Sequence, residues 1–131
     1  MGYAVAEHTR LGRFNPDRAR ELGIPEGPLW GELHKGKVVN LPDGRTVGPA
    51  DLVGEPRRGR ALVYTGDTRP HLAVIEASRG ADLLVHEATF GGDEQDRAKE
   101  TGHSTAAEAA RVAAEAGARR LVLTHISSRY N

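Results

Sequence analysis

Three short apolar runs, at residues 61–64, 83–85 and 121–123, alternate with stretches of helical periodicity, and this alternation limits the possible folds more than any other feature of the chain. The runs are continuous rather than alternating, which predicts strands buried on both faces. Helical segments between successive strands impose crossover connections, and crossovers make neighbouring strands parallel. Residues 57–131 are therefore predicted to form a βαβαβ unit of the α/β class. One helix is predicted to begin around Pro70. For the other, Thr105 and Glu108 make a capping box, Ala109, Val112, Ala113 and Ala116 form an apolar stripe, and Gly117 provides the stop. The same spacing places Glu108, Arg111, Glu115 and Arg119 on the solvent side.

Residues 1–56 have a different texture, rich in turns, with the boundary near Pro56. Residues 2–7 read as a weak strand, and Asn15-Pro16 as the start of a short helix that stops at Leu22-Gly23. Ile24-Pro25-Glu26-Gly27-Pro28 reads as an ordered loop or stiff linker. Val38 to Leu41 and Thr46-Val47, flanking Pro42-Asp43-Gly44, read as a small hairpin. A length of 131 residues fits one modest domain or a piece of a larger one, and a hydrophobic share of 38% is lean for a self-sufficient core. Eighteen basic residues balance eighteen acidic ones, which excludes a globally basic nucleic-acid binder. The absence of cysteine excludes a disulfide scaffold, a cysteine-ligated zinc finger and a thiol nucleophile. No apolar run reaches membrane-span length and no signal-peptide core opens the chain, so a soluble, cytoplasmic protein is expected.

Ligands of parallel α/β sheets bind beyond the carboxyl ends of the strands, and each predicted strand here ends in residues able to do chemistry. The first runs into Gly66-Asp67-Thr68, the second into His86-Glu87, the third into Thr124-His125, and His103 joins from the loop before the capped helix. Two histidines with an aspartate suit zinc, although manganese accepts similar groups. A further histidine–carboxylate pair serves either general acid catalysis or support of the ligands, and spacing leaves the two open. Singly, Asp67 is equally a turn former and His86 reads better as a hydrogen-bonded core histidine. His8, His34 and His71 are read as surface residues, Arg10, Arg13, Arg18 and Arg20 as a solvated face, and Arg57, Arg58 and Arg60 as part of a linker.

Read together, Tyr64-Thr65-Gly66-Asp67-Thr68-Arg69-Pro70, His86-Glu87-Ala88-Thr89, His103-Ser104-Thr105 and Thr124-His125-Ile126-Ser127-Ser128-Arg129-Tyr130 resemble the tRNase Z family, tRNA 3′-processing endoribonucleases of the metallo-β-lactamase superfamily. Gly2-Tyr3 is similar to the family's segment following its third zinc histidine, and residues 22–31 to its protruding tRNA-binding arm. The resemblance implies the C-terminal half of an αβ/βα sandwich with an N-terminal arm-like segment. It implies that Asp67 bridges two zinc ions, that His125 ligates the second, and that His103 paired with Glu87 assists proton transfer to the leaving 3′ oxygen. Ser127, Ser128 and Arg129 are candidate phosphate contacts, and Gly23, Pro25, Gly27 and Pro28 of the arm-like segment are candidate tRNA contacts. Precursor tRNA is the implied substrate and a homodimer the implied assembly.

The family's His-x-His-x-Asp-His element and its third zinc histidine, both upstream of the position of Gly2, are absent from the sequence, and the family continues past Tyr130. Asp67 and His125 alone are too few ligands for two zinc ions. The expectation is a partial chain that is inactive without an N-terminal half. The alternatives are a non-catalytic tRNA-binding or assembly module, or another phosphodiesterase of the same fold.

Overall fold

The computed structural model describes residues 1–130. In chain order the elements are β1 (Tyr3–Ala6), α1 (Pro16–Glu21), α2 (Pro28–His34), β2 (Val39–Asn40), β3 (Thr46–Val47), β4 (Ala61–Tyr64), α3 (Leu72–Ala77), β5 (Leu83–Glu87), α4 (Gln95–Thr101), α5 (Ala106–Ala116) and β6 (Leu121–Thr124). They fall into two compact units, one made of Met1–Glu7 with the chain from Arg60 onward, the other of His8–Gly59.

The first unit is a four-stranded sheet in the order β1-β4-β5-β6. Strands β4, β5 and β6 are parallel, with Val63 beside Leu84 and Leu84 beside Leu121. The helical crossovers foreseen from the sequence produce this arrangement. Strand β1 pairs antiparallel with β4, Tyr3 opposite Tyr64 and Ala6 opposite Ala61, so the opening strand belongs with the later residues rather than with the segment up to Pro56. Helix α5 starts at the expected capping box, Thr105 accepting from the Glu108 amide and Glu108 from the Thr105 amide, and ends at Gly117, whose φ is 64°. Helix α3 begins at Leu72, two residues later than Pro70, because His71 caps it by accepting from the Ala73 amide. Helix α4 carries no apolar stripe that the sequence could betray, Ala98 being its one buried residue.

Val63, Ala81, Leu84, Val112 and Ala113 form the core, with Val74, Ile75, Ala118 and Leu121 packed against it. This places helices α3 and α5 on a single face of the sheet. The register puts Tyr3, Val5, Leu62, Tyr64 and Val122 on the opposite face, where they are 39–63% exposed. Burial on both faces, expected from the unbroken apolar runs, is therefore not observed within the unit.

In the second unit, Asn15 caps α1 by accepting from the Arg18 amide, and Pro16 occupies the first helical position, where it has no amide to lose. Pro28 opens α2 in the same way, which turns the last residue of the anticipated loop into the start of a helix. Strands β2 and β3 form the expected hairpin, Val39 opposite Val47. Ala19, Ile24, Leu33, Val39, Leu41 and Leu52 make a separate apolar core flanked by Phe14 and Trp30. His34 is not a surface residue. Its Nε2 lies 2.9 Å from the Gly12 carbonyl oxygen and its ring packs 6.0 Å from that of Phe14.

Candidate metal centre

The site forms where β4, β5 and β6 end. After β4, the chain turns at Gly66, where φ is 63° and a Cβ would stand 2.5 Å from the Met1 carbonyl oxygen, so only glycine fits there. That turn presents Asp67 to solvent and brings the Thr68 amide to 2.9 Å from Glu87 Oε1.

Glu87, at the end of β5, is fully buried and organises the site. Its Oε1 accepts from Thr68 and from His103 Nδ1 at 2.9 Å, and its Oε2 accepts from the Ser104 amide at 3.0 Å, the Thr89 amide at 3.2 Å and the Thr89 hydroxyl at 2.9 Å. Burial pushes the Glu87 carboxyl up, but the Ser104 and Thr68 amides, His103 and the Thr89 amide together hold it below its ordinary value of 4.5. The residue is thus a buried carboxylate whose acceptor sites are taken.

That arrangement also fixes both imidazoles. His103 turns Nδ1 to Glu87, which leaves Nε2 outward. The Thr89 hydroxyl has one proton, which it gives to Glu87, so His125 Nδ1, 2.7 Å from the same hydroxyl, is the donor in that pair. His125 Nε2 is then left with its lone pair, 3.8 Å from Asp67 Oδ1. The two rings stack with centroids 5.2 Å apart, and His125 adopts the left-handed conformation at φ 57°, rare for a residue with a side chain. Asp67, His103 and His125 each offer one donor atom within 4.8 Å of the others. Two imidazole nitrogens and a carboxylate oxygen, backed by a carboxylate and a hydroxyl on the far nitrogens, have the donor chemistry of a divalent-metal site.

The sequence brought Asp67, Glu87, His103 and His125 to one edge, and the structure gathers all four. His86, as expected, is a core residue, with Nδ1 2.7 Å from the Glu87 carbonyl oxygen and Nε2 without a hydrogen-bond partner among the described residues. Ser127 lies beside the site, its amide 3.2 Å from the Thr89 carbonyl oxygen. Ser128 and Arg129 belong to a single 3-10 turn. Arg129 is 3.0 Å from Glu94 and lies over the Phe90 ring, while the Tyr130 hydroxyl bonds to Glu94 and receives the Gly91 amide. Gly23 (φ 69°), Pro25, Gly27 (φ 148°) and Pro28 lie in the other unit, around the link between α1 and α2.

Sequence alone assigned no role to Thr89 or Arg69 and misplaced Glu108. Thr89 orients His125 and supports Glu87, and its place in the His86-Glu87-Ala88-Thr89 motif was the signal for it. Arg69 and Glu108 form a two-pronged ion pair at 2.8 and 2.7 Å, so Glu108 is 4% exposed rather than on the solvent side. Arg111, Glu115 and Arg119 are exposed as expected.

The sequence pattern of the beta-lactamase superfamily domain matches residues 43–126. The chain belongs to the beta-lactamase superfamily. Over its whole length it is 62% identical to a ribonuclease Z of Gemmatimonas aurantiaca and 64% identical to one of Myxococcus xanthus, and over 130 residues 60% identical to one of Halobacterium salinarum. It spans 42–43% of the length of these relatives. Among solved structures it is similar to the short form of human tRNase Z, with 44% identity and a TM-score of 0.51 over 55% of this chain and 29% of that one. A long-form RNase Z from yeast matches at 39% identity and a TM-score of 0.52, over 55% of this chain and 10% of that one. No helix among the described residues is long and apolar enough to cross a membrane.

Proposed function

We propose that this chain is the C-terminal part of a zinc-dependent endoribonuclease that removes the 3′ trailer from precursor tRNA in the cytoplasm. The observation that carries this reading is the convergence of Asp67, His103 and His125 in front of buried Glu87, in a chain whose whole length aligns with proteins named ribonuclease Z. Asp67 and His125 would hold the metal, together with donors supplied by an N-terminal half. Zinc, when bound, supplies Lewis acidity to the phosphodiester oxygens.

Glu87 holds the His103 ring by accepting from Nδ1, so that Nε2 faces the site and hands a proton to the leaving 3′ oxygen. Ser127, Ser128 and Arg129 contact phosphates near the scissile bond. Gly23, Pro25, Gly27 and Pro28 contact the body of the tRNA, so that the arm-like segment within residues 1–56 grips the substrate away from the reacting groups, which all lie in residues 57–131. The remaining zinc donors come from an N-terminal half, and the whole enzyme works as a homodimer.

The test is to mix the chain with a separately expressed N-terminal half of a ribonuclease Z, zinc and a precursor tRNA. Cleavage that leaves a 3′-hydroxyl is expected from the mixture, and neither half alone should give it. Mass spectrometry of metal content checks the same point independently: two zinc ions per mixed complex are expected. A mixture that binds zinc and tRNA but never cleaves would replace this reading with a tRNA-binding module.

A further inference from the structure

We propose that Arg69 and Glu108 are a positioning pair that sets His103 relative to Asp67. The inference rests on the catalytic reading of His103 and Asp67 given above. Arg69 lies two residues beyond Asp67 on the turn that leaves β4, while Glu108 lies in the first turn of α5, directly after the His103–Ser104 loop. Both guanidinium nitrogens engage the Glu108 carboxylate, and Arg69 Nη1 also donates to the His103 carbonyl oxygen at 2.7 Å. One planar side chain therefore spans the Asp67 turn, the backbone of His103 and the start of the helix that follows it.

The rest of the network closes the same gap. The Ser104 hydroxyl donates to the Thr68 carbonyl oxygen, and the Thr68 and Ser104 amides both meet Glu87. Without Arg69 the His103 backbone loses the guanidinium that ties it to the Asp67 turn and to Glu108, and the ring is left to the Glu87 contact alone, free to exchange it for other orientations. Gln95 Nε2, at 3.5 Å from Glu108 Oε1, is the remaining side chain on this carboxylate and carries no charge to replace the guanidinium. The Glu108 carboxylate also completes the α5 cap by accepting from the Thr105 amide at 2.9 Å, so a role in capping and a role in positioning must be separated.

Substitution separates them. Arg69→Met removes the fork and leaves the cap. Glu108→Gln keeps a side chain that serves in a capping box but discharges the acceptor that anchors Arg69. Arg69→Lys keeps the charge but cannot reach both partners with one ammonium group. The readout is the imidazole nitrogen NMR signature of His103 in the purified chain at mildly alkaline pH, which reports its tautomer and does not depend on helix capping.

The unaltered chain should show the single Nδ1-protonated tautomer. Arg69→Met should lose it to a mixture, with Glu108→Gln and Arg69→Lys changing in the same direction to a smaller extent, all with native circular dichroism. In the reconstituted cleavage assay, kcat should fall roughly tenfold at unchanged KM. A folded variant that retains the unaltered signature overturns the inference, and Glu108→Gln provides that test even if Arg69→Met fails to fold. A lost signature with undiminished cleavage upholds the positioning of His103 and overturns its catalytic role instead.

Discussion

In the unit built from Met1–Glu7 and the chain beyond Arg60, five donors converge on the buried carboxylate of Glu87, whereas the buried side chains of His8–Gly59 are all apolar. Ion pairs of the second unit such as Arg18 with Glu21, Arg20 with Asp17 and Arg45 with Asp43 join side chains about half or more exposed, and the Glu32 of its lysine pairs is over a third exposed. Exposed pairs of this kind contribute little to stability. The buried polar residues, including Thr89, Ser104, Thr105 and Glu108, lie in the first unit. Buried polar groups must find partners, and those partners then dictate where each side chain points. In one unit a buried hydrogen-bond network adds to the apolar core and also aims the side chains of the candidate site, whereas in the other the buried side chains contribute packing.

The sharpest way to break that comparison is Glu87→Ala. It would strand the Thr68, Thr89 and Ser104 amides in the interior, and the expected loss is about 4 kcal/mol, the range for removing one partner of a buried charged network. Amide hydrogen exchange should report the loss in β4, β5 and the His103 loop. Trp30, the only tryptophan, sits in the other unit and reports on it separately by fluorescence. An equal fall in the Trp30 urea midpoint would mean that the two units unfold as one.

The reciprocal experiment is Leu33→Ala. Leu33 is fully buried in the apolar core of the second unit and makes no polar contribution. Truncation should cost that unit about 3 kcal/mol through lost burial and an imperfectly filled cavity. The Trp30 transition should move, while the Nδ1-protonated signature of His103 should not.

How much of this was legible in the sequence follows the same division. Apolar runs and a capping box are local signals, so β4, β5, β6 and α5 could be read directly; the strand-end rule then gathered Asp67, His86, Glu87 and His125, and His103 joined them from the loop before α5. The pairing of β1 with β4 joins residues more than fifty positions apart and leaves no local trace. Glu108 was misassigned because helical periodicity says which residues share a face, not which distant side chain covers the first turn. Arg69 supplies that cover from another element. Thr89 stood in its motif without a role of its own, since its value lies in the direction of one hydroxyl proton.

Acid should distinguish the units next. Burial raises the Glu108 carboxyl, but the Arg69 guanidinium and the Thr105 amide outweigh it and hold it below the ordinary 4.5. A carboxyl lowered in the folded state contributes its full stability above the unfolded value and loses it as the pH falls through the lowered one. The first unit should therefore weaken progressively below about pH 4.5 through this group. Glu108→Gln should flatten that part of the profile. An acid profile of hydrogen exchange in α5 that is identical in Glu108→Gln would remove the Arg69–Glu108 pair from the account.

The smallest effects offer the finest comparison, because both units use the same local device in different surroundings. Asn15 caps α1 and Thr105 caps α5, each accepting from the amide three residues on. Asn15 is exposed, so water can replace its side chain at the freed amide, and Asn15→Ala should cost only about 0.5 kcal/mol. Thr105 is 1% exposed and shares its box with Glu108, which is also bound to Arg69. No solvent reaches the amide that Thr105→Ala would leave bare, so its cost should approach about 2 kcal/mol, the upper end for a cap. Urea unfolding of the two variants, read by hydrogen exchange in α1 and α5, measures the difference. Equal costs would show that burial does not magnify a lost hydrogen bond here, and the contrast between the units would then reduce to the composition of their cores.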